Sequence, residues 1–298
     1  MVAEQFICHP RCRRRQACLR RQAPTLQMNN NELFFNMVRK PNAAGGFYPA
    51  DKGELTAELE RCFQDAAAVP PEAQGKEVKA IIAPHAGYVY SGATAASAYQ
   101  LLKNSYRRVI LLGPSHYVGF DSVALDEAQK WRTPLGEVAL DKDALATLSH
   151  SRYFKILPEA FAREHSIEVQ IPFLQKQLKA FSLVPLCCGQ ELPSVSIAME
   201  LNKIIDNATL VVASSDLSHY QPLSAARATD RESIDSILSM DQEDMRAHLD
   251  ACGSEGIFIL NELARQNRWQ PRLVDYRTSA EVSGDESAVV GYASIVYV

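Results

Sequence analysis

Three apolar runs in this chain of 298 residues each end in a side chain able to bind a metal or move a proton. Val78-Lys79-Ala80-Ile81-Ile82-Ala83-Pro84 leads into His85, and Val109-Ile110-Leu111-Leu112-Gly113-Pro114-Ser115 leads into His116. Thr209-Leu210-Val211-Val212-Ala213-Ser214-Ser215 leads into Asp216, with His219 three residues on. Imidazole titrates near neutrality and ligates metals in its neutral form. Two or three histidines with a carboxylate therefore offer a metal site or an acid/base pair. One histidine at a strand tip is more often structural, but two of the same construction favour ligation.

Such side chains must be gathered by the fold. Apolar runs of this length, without alternation, read as strands buried on both faces, as in a parallel sheet. The carboxyl ends of parallel strands open on one edge, where α/β proteins place their ligands. Between the runs, helices are expected over 51–68 (capped by Asp51), 91–103, 141–149, 164–178 (kinked by Pro172), 192–206, 224–238, 241–249 and 253–266. Further strands are expected over 181–187, 271–276 and 288–298, the last so apolar that it should be internal to the sheet. Residues 123–140 read as irregular extended chain with a turn at 131–136. The expected class is α/β: one domain over 39–298 with a largely parallel or mixed central sheet flanked by helices.

Three more segments carry candidates. If Asp216-Leu217-Ser218-His219 opens a helical turn, both end residues share a face. Asp216 is then a ligand, an orienter of a histidine through its ring N–H, or a helix cap. In Glu164-His165-Ser166-Ile167-Glu168, Ser166 suits a cap, while His165 and Glu168 are spaced to reach a pocket together. Cys252 precedes a helix, whose N-terminus favours thiolate, a soft metal ligand; the plain alternative is a structural cysteine. Cys187 and Cys188 read as packing.

The charge distribution separates a leader from the rest. Residues 1–22 hold six arginines against Glu4, a charge of +5, so −9 falls on the remainder of a chain whose net charge is −4. Beyond the leader there is no basic footprint for nucleic acid, and no apolar run long enough to span a membrane. The leader reads as a disordered tail or an over-extended start, with Met28 and Met37 as alternative first residues. A transit peptide, or a metal knuckle of His9, Cys8, Cys12 and Cys18, are the competing readings. The remaining cysteines lack disulfide-framework spacing, so a reducing cytoplasm is expected.

Taken together, Ala44-Gly45-Gly46-Phe47-Tyr48-Pro49, Ala83-Pro84-His85-Ala86-Gly87-Tyr88 with Ser91-Gly92, Gly113-Pro114-Ser115-His116, the Glu164–Glu168 segment, Ser214-Ser215-Asp216-Leu217-Ser218-His219-Tyr220 and Cys252-Gly253 resemble the Memo family, which is close in fold to the class III extradiol dioxygenases. The resemblance implies a metal centre of His85, His116 and Cys252, with Asp216 and His219 as further pocket residues. A cysteine in place of the dioxygenase carboxylate implies copper or a differently tuned iron(II), so ring cleavage does not carry over. Some members have a histidine where this chain has Asn42-Ala43-Ala44. Prokaryotic proteins of this type resemble components of a system with AMMECR-type and radical SAM partners.

The leading expectation is a metal-dependent redox protein with His219, Asp216 and His165 as catalytic groups. The alternatives are a non-catalytic module binding a peptide or small molecule in the cleft, and a zinc hydrolase.

Overall fold

The protein is described from a computed structural model covering residues 37–298. The basic leader with its cysteines, and Met28, lie outside the described residues. In chain order the strands are β1 (Val38–Arg39), β2 (Ala80–Ala83), β3 (Arg108–Pro114), β4 (Val123–Leu125), β5 (Lys130–Thr133), β6 (Gly136–Ala139), β7 (Phe154–Ile156), β8 (Ser182–Cys188), β9 (Thr209–Ser214), β10 (His219–Gln221), β11 (Pro271–Thr278) and β12 (Val289–Tyr297). The helices are α1 (Lys52–Gln64), α2 (Tyr88–Tyr99), α3 (Lys142–Ser149), α4 (Ile171–Gln177), α5 (Ser194–Leu201), α6 (Leu223–Ser239), α7 (Gln242–His248), α8 (Ser254–Asn267) and α9 (Ala280–Ser283).

The central sheet is mixed. β2, β9, β3 and β8 run parallel in that spatial order. β12 joins β2 antiparallel and is itself paired along its length with β11, so the C-terminal strand is internal, as its apolar sequence predicts. Successive residues of the central strands feed opposite faces. Ile81, Val109, Leu111, Leu210 and Val212 enter one core, and Ala80, Ile82, Ile110, Leu112 and Val211 the other. Helices cover both faces, which gives the expected α/β architecture.

Local rules account for the starts of several helices. The carboxylates of Asp51, Asp141 and Asp241 accept first-turn N–H groups of α1, α3 and α7. Two expectations are corrected. Residues 123–140 are not irregular: they form β4, β5 and β6, with β5 and β6 in a small second sheet beside β1. The helix expected over 164–178 is a loop, a 3₁₀ turn at Glu168–Gln170 and then the short α4. Pro172 lies in the first turn of α4, where its missing N–H has no helical acceptor to lose. Among the described residues no helix is long and apolar enough to cross a membrane.

Candidate metal centre

The parallel order β2–β9–β3 sets three strand ends side by side. β2 stops at Ala83 and delivers His85; β3 stops at Pro114 and delivers His116; β9 ends in Ser214, just before Asp216. The third imidazole comes from a loop, since His165 precedes the 3₁₀ turn and stacks on Phe47 at 4.1 Å. Ring centroids lie 5.3 Å apart for His85–His116, 5.5 Å for His85–His165 and 4.8 Å for His116–His165. One ring nitrogen from each histidine falls within 4.8 Å of the other two. Three soft-to-borderline nitrogen donors in this arrangement suit zinc, copper or iron.

Glu164 organises two of the three. Its carboxylate accepts the His116 backbone N–H at 2.7 Å, His116 Nδ1 at 2.9 Å, and the N–H groups of His165 and Ser166, each at 2.9 Å. Burial alone would raise its pKa. The bond and charge of His116, with the charge of His165, outweigh burial and hold the carboxyl well below the usual range. Burial does the reverse for the imidazoles. It drives His85 well below its ordinary value, reinforced by the charge His116 would carry. It lowers His165 to about 3, reinforced by His85. Both rings are therefore neutral near pH 7, the form that ligates metal. Among the three, His165 alone has a buried Nδ1 without a hydrogen-bond partner.

Asp216 departs from expectation. Its Oδ1 accepts the backbone N–H of His85 at 2.7 Å, so it braces the turn after β2 rather than orienting an imidazole ring. The residues from Asp216 to His219 form no helical turn. His219 begins β10, an antiparallel partner of β12 whose register slips between His219 and Gln221. At the slip Tyr220 adopts φ +57° and turns outward, 53% exposed. His219 remains near the cluster, since its charge would depress His85 and favour ionised Asp216.

Cys252 Sγ lies 3.2 Å from His85 Nε2 and accepts the Asp216 N–H at 3.3 Å. It approaches the cluster from the side of His85 and is not among the three residues whose donors lie within 4.8 Å. The expected lowering of its pKa by α8 is overturned: burial, then the Asp216 charge, pushes the thiol well above its ordinary range. The segment cannot easily shift. A β-carbon on Gly253 would stand 2.5 Å from Ser214 O and 2.7 Å from Ser215 Cβ. Gly253→Ala is expected to cost about 1–3 kcal/mol and to displace Cys252 from His85. Denaturant unfolding and the rate of thiol labelling of Cys252 check both effects.

Glu168 does not reach the pocket with His165. Its carboxylate faces the other way and takes Arg39 Nη1 at 2.5 Å, the N–H groups of Asn42 and Ala43 at 2.9 and 2.7 Å, and the Tyr48 hydroxyl at 2.7 Å. Ser166 caps no helix; its hydroxyl donates to Pro114 O. Sequence reasoning missed Ser214 and Gln170. Gln170 Nε2 donates to Ser214 Oγ at 2.8 Å, and Ser214 Oγ meets His85 Nδ1 at 3.0 Å. The available signal was a hydroxyl closing an otherwise apolar strand.

Comparison with known proteins matches residues 39–296 to a family profile described as Memo-like protein. A MEMO1 family protein of Nitrosopumilus maritimus is 37% identical over 283 residues, covering 88% of this chain and all of that protein. One from Methanosarcina barkeri is 35% identical, covering 87% and 99%, and one from Methanopyrus kandleri 36%, covering 88% and 99%. Among solved structures, an uncharacterized protein of Escherichia coli K12 aligns with TM-score 0.46 and 12% identity, over 74% of this chain and 99% of that one.

Proposed function

Because the chain belongs to the Memo family, we propose that it is a metal-dependent protein with redox or oxygen-related chemistry. The observation that carries the reading is the convergence of three imidazole donors within 4.8 Å at the carboxyl edge of a parallel sheet. His85 and His116 are the fixed ligands, each with its other ring nitrogen already engaged. On the family resemblance Cys252, beside His85 Nε2, is the third donor, with the His165 imidazole of the same cluster left for proton transfer. The mixed nitrogen and thiolate set favours iron(II) or copper. When bound, such a metal supplies one-electron chemistry and an open position for a substrate atom.

The chain's own groups supply the rest. His165, whose Nδ1 makes no hydrogen bond and stands 3.5 Å from the Glu164 carboxylate, is the first proton-handling group at the pocket. His219, at the start of β10, is the second proton-handling group. Asp216 holds His85 in place through its backbone. The exposed rings of Tyr117, beside His165, and Tyr220, beside His219, give a ligand apolar surface near the histidines. On the family resemblance, AMMECR-type and radical SAM proteins are the proposed partners.

The test is elemental analysis of protein purified without oxygen or chelator from metal-supplemented cells, beside a His85→Ala/His116→Ala variant. About one iron or copper per chain, lost in the variant, is the expected result. Stoichiometric zinc without any redox response would favour a hydrolase. Equal metal in both proteins, or none in either, would sink the reading and leave a cleft that binds its ligand without metal.

A further inference from the structure

The hydrogen-bond partners of Ser214 allow its single proton to be located. Its Oγ lies 2.6 Å from the carbonyl oxygen of Ser166. Two oxygens that close need a hydrogen between them, and only the hydroxyl has one to give. Gln170 Nε2 donates to the same Oγ at 2.8 Å. The orientation of that amide is fixed at both ends: Oε1 accepts from the Tyr99 hydroxyl at 2.9 Å, while Nε2 also serves Pro84 O at 2.9 Å and Ala83 O at 3.3 Å. With its proton committed to Ser166, Ser214 can meet His85 Nδ1 only as an acceptor.

We infer that Ser214, oriented by Gln170, is a positioning residue that fixes His85 as its Nδ1–H tautomer and leaves the Nε2 lone pair facing Cys252 and the histidine cluster. All four residues of this chain, Tyr99, Gln170, Ser214 and His85, are buried, so no water competes for the bonds. The bare Nε2 then faces the Cys252 sulfur at 3.2 Å, so that both atoms would be available as metal donors once the thiol had lost its proton. Glu164 likewise holds a proton on His116 Nδ1, because an ionised carboxylate at 2.9 Å can only accept. His165 Nδ1 makes no hydrogen bond, standing 3.5 Å from the same carboxylate. Two imidazoles thus have a proton held on Nδ1 by an acceptor, and the third does not.

The tautomer stands on hydrogen-bond accounting alone; its consequence for metal affinity rests on the metal-centre reading above. The test uses the metal-free full chain with ¹⁵N-labelled histidine. Long-range ¹H–¹⁵N correlation at pH 7 is expected to show His85 with Nδ1 protonated and Nε2 bare. An Nε2–H signature at His85 would overturn the inference. Zinc affinity is then measured by chelator competition. Ser214→Ala is expected to lose about 10–100-fold with a mixed tautomer signal, and Ser214→Thr, which keeps the hydroxyl, to recover most of it. Unchanged tautomer and unchanged affinity in Ser214→Ala would also overturn the inference. Should Ser214→Ala fail to fold, the wild-type tautomer still decides. A wild type that binds no zinc would count against the metal reading, while the tautomer measurement continues to decide the role of Ser214.

Discussion

Replacing Glu168 by alanine is expected to lower the unfolding free energy by about 3–5 kcal/mol, the range for breaking a buried ion pair from one side. Glu168 is fully buried, and the Arg39 side chain that it pairs with is 10% exposed. The loss would strand the guanidinium, two backbone N–H groups and the Tyr48 hydroxyl at once. Arg39 is also held over Trp131 at 4.0 Å and donates to the carbonyls of Phe161 and Glu164. The clasp therefore ties β1 to the loop that carries Glu164 and His165. For a domain of this size the corresponding fall in Tm is roughly 6–20 °C. The double variant Arg39→Met/Glu168→Leu is expected to be less damaged than Glu168→Ala, because no buried charge is left alone. Thermal unfolding followed by circular dichroism reads both. A Glu168→Ala protein melting within a degree or two of wild type would refute the clasp.

The second large effect is acid sensitivity of the metal-free protein. His165 has a folded pKa lowered to about 3 by burial and by His85, against 6.5 in the unfolded chain. Between those values the unfolded state binds more protons, so stability falls as pH drops below 6.5. At about 1.4 kcal/mol per unit, the accumulated loss approaches the order of 5 kcal/mol for His165 alone. His85, lowered by burial and His116, adds in the same direction. Glu164 acts later and in the same sense: its depressed folded pKa contributes stability above its unfolded value of 4.5, and that stability is lost as pH falls further. The expected curve is a decline starting near pH 6.5. His165→Gln should flatten the stretch from 6.5 to about 5. Urea unfolding at half-unit pH steps measures the slopes, and equal slopes in the two proteins would refute the assignment.

Much of this arrangement is legible in the sequence, for reasons that also explain the gaps. Unbroken apolar runs dictate buried strands, and a parallel sheet must align their carboxyl ends, so His85 and His116 are readable as neighbours before any coordinates. Local spacing was a poorer guide where tertiary pairing competes. Asp216 and His219 look like a helical i, i+3 pair, yet β12 offers a strand partner and the chain takes it through the slip at Tyr220. Helix spacing also suggested one shared face for His165 and Glu168; a loop instead sends them to opposite sides, one to the cluster and one to Arg39. The thiol of Cys252 shows the same limit in electrostatics. A helix N-terminus is visible in sequence, whereas the burial that overrides it is a property of the assembled fold. The supports of the site, Ser214 and Gln170, are common residue types whose roles exist only through contacts more than 40 positions apart.

The internal place of β12 has a consequence for how the protein is made. The strand that delivers His85 is flanked by β9 on one side and β12 on the other, and β12 follows every other strand in chain order. At ribosomal rates of about 5–20 residues per second, on the order of 10–40 s separates synthesis of β2 from synthesis of β12. During that interval the edge of β2 that β12 covers is open. The sheet edge beside the His85 strand is therefore closed only once β12 has been made.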